Sequence, residues 1–213
     1  MRTALIAMFA AALARSAWGA PDPGVLVTPG GEGGQWKPLV SALAAKGPIL
    51  AAFSERRFFP FRSEPTRLEG ILRMSPERGL SLQYVKPEAS VMIADPAGLV
   101  LRDRGGRSRE MPAGSGEAGA VASLLPIMRF DLPALYPKFV IRFLVTGGDW
   151  RFEFTPRDPG IAKSLGSITV AGTGNAVRHL EFRRSANQRI EIDVGETTTG
   201  VTFTPADLAT FFR

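Results

Sequence analysis

One histidine, no cysteine and scattered carboxylates are all this 213-residue chain offers for chemistry. His179 is the only histidine. A Ser-His-Asp triad could use it, but no G-x-S-x-G elbow accompanies it. It lies in a strand-like run, Val177-Arg178-His179-Leu180, where the alternation puts Val177 and His179 on one face. General-base chemistry needs a nucleophile positioned beside the imidazole, so a structural role for His179 is the favoured reading. Zinc needs more His or Cys ligands than one histidine supplies, and no metal or cofactor is expected. Gly172-Thr173-Gly174-Asn175 has the look of a dinucleotide loop but lacks the third glycine and precedes a strand, so it reads as a hairpin turn. Gly114-Ser115-Gly116 precedes a helix without the Lys-Ser/Thr pair of a phosphate loop. No carboxylate pair stands out as a glycosidase acid and nucleophile. The sequence therefore points away from an enzyme.

Binding rather than catalysis is what the apolar patterning suggests. Hydrophobic residues make up 45% and charged residues 22%, with 23 Gly and 17 Pro. That balance fits one folded domain with many turns between short strands. Arg2 followed by the apolar run Ala4 to Ala14 is too short to span a bilayer. With Ala17-Trp18-Gly19 it reads as a secretory signal cleaved after Gly19; an uncleaved amphipathic anchor is the alternative. No later segment is apolar enough for a membrane helix. Without cysteine there is no disulfide framework, thiol chemistry or lipobox attachment. A protein soluble in the periplasm or outside the cell is expected. The net charge of +6 falls to +4 once Arg2 and Arg15 are removed. Arginine clusters at Arg56-Arg57, at Arg102, Arg104, Arg107 and Arg109, and at Arg183-Arg184 with Arg189 read as solvated edges, or as attraction to anionic headgroups or acidic partners. Export argues against nucleic acid.

Residues 20–34 are Gly/Pro-rich and read as a flexible lead-in; the folded domain is expected over 35–213. Trp36 to Lys46 has helical spacing and is stopped by Gly47-Pro48. Period-two alternation predicts strands at Ile49–Phe59, Thr66–Met74, Leu80–Lys86, Ala89–Ala94 and Leu99–Asp103. Asp95-Pro96-Ala97-Gly98 is a turn. The stretch 105–116 reads as a loop, and Glu117 to Arg129 as a helix interrupted by Pro126, with Asp131 capping a further turn. Strands return at Lys138–Val145, Asp149–Thr155, Ser167–Ala171, Val177–Arg183 and Gln188–Val194. Thr204-Pro205 opens a terminal helix. The expectation is about ten mostly antiparallel strands with two or three helices.

The run Phe53 to Asp103 carries a resemblance. It reads F-S-E-R-R-F, then L-E-G-I-L-R-M-S-P-E-R-G-L-S-L-Q-Y-V-K-P, then S-V-M-I-A-D-P-A-G-L-V-L-R-D. Its order and spacing resemble the periplasmic outer-membrane lipoprotein carriers of the LolA type. A second part follows at Trp150-Arg151-Phe152-Glu153-Phe154-Thr155-Pro156, Leu180-Glu181-Phe182 and Phe203-Thr204-Pro205. The resemblance implies a mainly β (α+β) fold, a curved antiparallel half-open β-barrel with a helical lid. It also implies a monomer that shelters the acyl chains of a lipoprotein or other lipid, taken from an inner-membrane donor and passed to an outer-membrane acceptor. The alternative on the same fold is a protein-binding or sensor module without transport.

For an apolar, lipid-binding wall the candidates are Leu68, Leu72, Met74, Leu80, Leu82, Tyr84, Val91, Ile93, Leu99, Leu101, Phe139, Phe143, Trp150, Phe152 and Phe154. The lid candidates are Leu124, Leu125, Ile127, Met128, Phe130 and Leu132. Three departures from the family pattern stand out. Ser75 replaces the basic residue that precedes the proline and ties lid to barrel, leaving Arg73 or Arg78 to supply the tie. Leu82 replaces the usual aromatic, and Asp95-Pro96 replaces Asp-Gly.

Overall fold

The computed structural model describes residues 24–31, 34–112 and 124–213. The expected signal segment and the first part of the expected interrupted helix lie outside them. Twelve strands are present: β1 (Val25–Val27), β2 (Ile49–Phe58), β3 (Thr66–Ser75), β4 (Gly79–Lys86), β5 (Ser90–Asp95), β6 (Gly98–Arg102), β7 (Ser108–Pro112), β8 (Phe139–Thr146), β9 (Asp149–Pro156), β10 (Ser167–Thr173), β11 (Ala176–Ser185) and β12 (Gln188–Thr199). They form a single antiparallel sheet in the order β1-β8-β9-β10-β11-β12-β2-β3-β4-β5-β6-β7. β1 and β7 are its free edges, so the sheet is not closed. The described helices are α1 (Trp36–Ala44), α2 (Leu124–Met128), α3 (Leu132–Leu135), α4 (Pro159–Leu165) and α5 (Pro205–Phe211). Among the described residues no helix is long and apolar enough to cross a membrane.

The turns follow from their residues. Thr146 pairs with Asp149 across Gly147-Gly148, both at positive φ, a two-residue hairpin that only glycine enters without strain. Thr173 pairs with Ala176 across Gly174-Asn175, so the supposed dinucleotide loop is a hairpin. The Asp95 carboxylate accepts from the amides of Ala97 and Gly98 at 2.8 and 3.0 Å. Thr204 and Asp207 form a reciprocal capping box at α5.

Four register shifts bend the sheet: Val85 of β4 is extra opposite Glu69/Gly70, Arg178 of β11 opposite Ala171/Gly172, Arg184 of β11 near the β11–β12 turn, and β12 has one residue too many between Val194 and Thr197. An extra residue on one strand increases local twist and lets a sheet curl. At two of these bulges the backbone crowds its neighbours. A Cβ on Gly70 would lie 2.1 Å from the Gln83 carbonyl, and one on Gly172 would lie 1.9 Å from that of Ala176. The curl brings β3 and β9 to face each other across the lid. Phe130, between α2 and α3, meets the rings of Trp150 and Phe152 and also borders a small void with Leu72 and Met74.

Three elements exceed the sequence reading. Within the expected lead-in, Val25–Val27 pairs with β8, placing Val27 opposite Ile141 in the core. Within the expected loop, Ser108–Pro112 pairs with β6 although its residues are mostly exposed. Asp158-Pro159 starts α4, the Asp158 side chain accepting from the Ile161 amide at 2.9 Å. All three are short or lack an apolar face of their own, and pairing or capping supplies what periodicity does not.

Candidate functional site

The register divides the sheet into two faces. Ile49, Ala51, Phe53, Glu55 and Arg57 of β2 stand opposite Met74, Leu72, Gly70, Leu68 and Thr66 of β3. On the same face Leu72 pairs with Leu82, Gly70 with Tyr84, and Leu82 with Met92. From β12, Ile190, Ile192 and Val194 fall opposite Arg57, Glu55 and Phe53. This is the concave face, and it continues through Leu180 and Phe182, Ile168 and Val170, then Trp150, Phe152 and Phe154 to Phe139, Ile141 and Phe143.

The concave space is filled at one end and open at the other. Phe143, Trp150, Phe152 and Phe154 form a continuous aromatic cluster beneath Phe130. Phe152 and Phe154 are wholly buried there, as are Ile127 and Leu135 of the lid segment. Only about 30 Å³ remains near Leu43, Leu72, Met74, Met128 and Phe130. Toward α4 a cavity of about 440 Å³ opens. Leu82, Tyr84 and Met92 form one wall, Phe182, Ile190 and Ile192 the other, and Leu124 and Leu165 lie over them.

Of the sequence candidates, Leu82, Tyr84 and Leu124 line this cavity. Leu72, Met74, Met128 and Phe130 border the small void. Leu80, Leu99, Phe139, Leu125, Ile127 and Leu132 are buried in the core and Leu68 packs at its margin. Val91 and Ile93 must be corrected. They pair with Gln83 and Ser81, which puts them on the convex face, and Met92 and Ala94 face inward instead. Ser90 to Ala94 is a nearly unbroken apolar run, so its phase could not be read, and a one-residue slip exchanges the faces. Leu101 shares the inward face of Met92 but is 37% exposed near the free edge, outside the cavity.

A buried polar cluster sits in the wall, and sequence reasoning missed it. Glu55 is 2% exposed. Its carboxylate accepts from the Tyr84 hydroxyl at 2.8 Å and from Nε of Arg57. Arg57 also donates to the Tyr84 oxygen at 3.2 Å. Burial raises the Tyr84 pKa above the ordinary tyrosine value, and the adjacent Glu55 carboxylate adds to the effect. Burial alone would lower the Arg57 pKa, but attraction to Glu55 and the hydrogen bond to it outweigh this, so the pKa is raised. The signal was present in Phe53-Ser54-Glu55-Arg56-Arg57: Glu55 and Arg57 share the phase of Phe53, an inward one. Met92, Phe182, Ile190, Ile192 and Leu165 were likewise absent from the sequence set, though alternation in β11 and β12 was legible.

The tie between lid and sheet differs from the expectation. Arg73 lies on the convex face, donating to Gln83 at 2.9 Å and stacking 3.6 Å from the Phe211 ring. The Arg78 amide donates to the Ser75 hydroxyl, closing the β3–β4 turn. Arg129 makes the connection from the lid side, donating to the Pro76 carbonyl. The C-terminal residues are clasped to the convex face. Arg102 donates to the carbonyl of Thr210 at 2.6 Å, and Arg213 pairs with Asp95 at 3.0 Å.

His179 is also on the convex face. The bulge at Arg178 separates its phase from that of Val177, and Nδ1 lies 2.7 Å from Asp193. Among the described residues no serine hydroxyl is hydrogen-bonded to it, and no group of side chains is arranged to hold a metal ion.

No family model matches the sequence, and no curated protein matches it. Solved structures do. One is a LolA superfamily protein from Nitrosomonas europaea, at 7% identity and TM-score 0.45, covering 82% of this chain and 96% of that one. Another is a domain assigned to outer membrane lipoprotein sorting from Vibrio parahaemolyticus, at 10% identity and TM-score 0.43, covering 80% and 93%. A third belongs to the MucA/MucB complex of Pseudomonas aeruginosa, at 12% identity and TM-score 0.44, covering 81% and 59%. Each of these likenesses extends over about four fifths of this chain.

Proposed function

We propose that the chain is a periplasmic carrier that shelters an acyl chain of a lipoprotein or other lipid and moves it from an inner-membrane donor toward an outer-membrane acceptor. The observation that supports this most is the apolar cavity of about 440 Å³ between the concave face and α4. An acyl chain in water is unfavourable by about 0.8 kcal/mol per methylene. A carrier must remove that exposure reversibly, and a pocket under a short helix answers both needs. The proposed signal segment accords with export to the space between two membranes. The filled end beneath Phe130 favours a second reading, a protein-binding or sensor module with no cargo.

Native mass spectrometry of the protein purified from periplasm without detergent, with lipid extraction of the same sample, separates the two. A bound acyl species, lost in Leu82→Glu, is the expected result. A protein that stays unliganded after incubation with lipids and acylated proteins sinks the carrier.

A further inference from the structure

We infer that the mouth of the cavity is an anion site and that its ligand is a single-chain amphiphile with a negatively charged headgroup. This rests on the reading of the cavity as an acyl site. The deep walls are apolar, but three arginines, Arg57, Arg184 and Arg189, border the same space. Glu55 is the one carboxylate among the described lining residues, and it is already engaged by Arg57 and Tyr84. Arg189 pairs with Glu191 at 2.7 Å and stacks 3.6 Å from the Phe58 ring. Arg56 pairs with Glu191 at 2.9 Å and with Asp193 at 3.2 Å, so Arg56 and Arg189 are both matched by carboxylates. Arg184 donates from Nε to the Ser164 carbonyl at the end of α4. Among the described residues no carboxylate is paired with it. A guanidinium fork held at Nε leaves its terminal N–H groups to take a carboxylate or phosphate.

Among the described residues Arg184 is therefore the guanidinium at this mouth that no carboxylate neutralises, and a low-dielectric wall beside it strengthens attraction for an anion. The Tyr84 hydroxyl donates to Glu55 at 2.8 Å and accepts from Arg57 at 3.2 Å, holding both in place without adding negative charge. Size sets the number of chains. About 440 Å³ lies at the small end of the range of ligand pockets, which suits one acyl chain better than two.

The test is a titration of delipidated protein, by displacement of a fluorescent fatty acid, with five probes. These are palmitate, palmitoyl-lysophosphatidate, monopalmitoylglycerol, dipalmitoyl phosphatidate and inorganic phosphate. Palmitate and palmitoyl-lysophosphatidate should bind roughly tenfold or more tightly than neutral monopalmitoylglycerol, as one charge-assisted contact provides. The two-chain lipid should compete poorly. Arg184→Gln should bring the ratio of palmitate to monopalmitoylglycerol affinity toward one, and Arg184→Lys, which keeps the charge, should retain most of it. Equal affinity for palmitate and its neutral counterpart, insensitive to Arg184→Gln, overturns the anion site and leaves the acyl cavity standing. Tight binding of the dipalmitoyl lipid overturns the single chain. Displacement by phosphate at the palmitate concentration shows a free-anion site and overturns the amphiphile. If no amphiphile binds, the acyl reading falls as well.

Discussion

At the lid end of the concave space Phe130, Met128 and Leu135 interlock with the aromatic cluster of β8 and β9, leaving about 30 Å³. At the α4 end the same kind of inward-facing row, Leu82, Met92, Phe182 and Ile192, meets about 440 Å³ of open space. Alternation supplies an apolar wall at both ends. The difference lies in the cover. Six of the nine residues of the two lid helices are buried, with Leu124 alone reaching over the cavity, whereas none of the seven residues of α4 is buried. A sheet's inward face is therefore not in itself a core or a pocket; the thickness of what lies over it decides.

The sharpest way to break this comparison is to make the same truncation at both ends. Leu135 is wholly buried, so Leu135→Ala should lose about 3–5 kcal/mol, the removed transfer free energy together with a new void. Leu165 is half-buried and already borders open space, so Leu165→Ala should lose about 1 kcal/mol. Urea midpoints with unchanged slope measure both. Equal losses would mean that the α4 end is packed in solution and that the two ends do not differ.

A smaller effect sharpens the chemistry of the open end. Tyr84→Phe leaves one oxygen of the buried Glu55 without its donor, at about 1–3 kcal/mol. It should also alter the alkaline limb of stability. The folded state raises the Tyr84 pKa, so the unfolded chain releases this proton first, near the ordinary value of 10.0. Stability from this group is intact below that pH and falls as pH rises above it. In Tyr84→Phe the fall should be shallower, with Tyr136, whose pKa burial also raises, keeping its own share. Denaturant midpoints between pH 8 and 11 would show it; parallel curves would mean that Tyr84 is solvated.

How far the sequence could be read follows the same division. Where polar and apolar residues alternate, as in β3, β4 and β9, both strand and inward face were legible, and the aromatic row at Trp150, Phe152 and Phe154 was placed on its face. Where a strand is apolar on both faces, as in β5, the alternation carries no phase, and Val91 and Ile93 were read inward when register with β4 turns them outward. For Glu55 the phase of Phe53 was legible but its burial was not: a charged residue reads as solvent-facing, and only Tyr84 and Arg57, the one distant in sequence and the other two residues on, explain its burial. The cavity itself depends on α4, announced by nothing more than the cap Asp158-Pro159.

The smallest effect concerns what holds the filled end shut. The polar tie from lid to the β3–β4 turn is the bond from Arg129 to the Pro76 carbonyl, since Ser75 closes its own turn and Arg73 is turned away. One such bond contributes about 0.5–1.5 kcal/mol, and the apolar contacts of Phe130 and Leu135 carry the rest. Arg129→Ala should therefore lower global stability slightly, while amides of residues 124–135 exchange faster than those of β8 and β9. Sub-global opening of the lid alone produces that pattern. If exchange accelerates equally in lid and strands, the lid and its aromatic floor open as one unit. The filled end is then a core sealed by packing, and only the α4 end can admit a ligand.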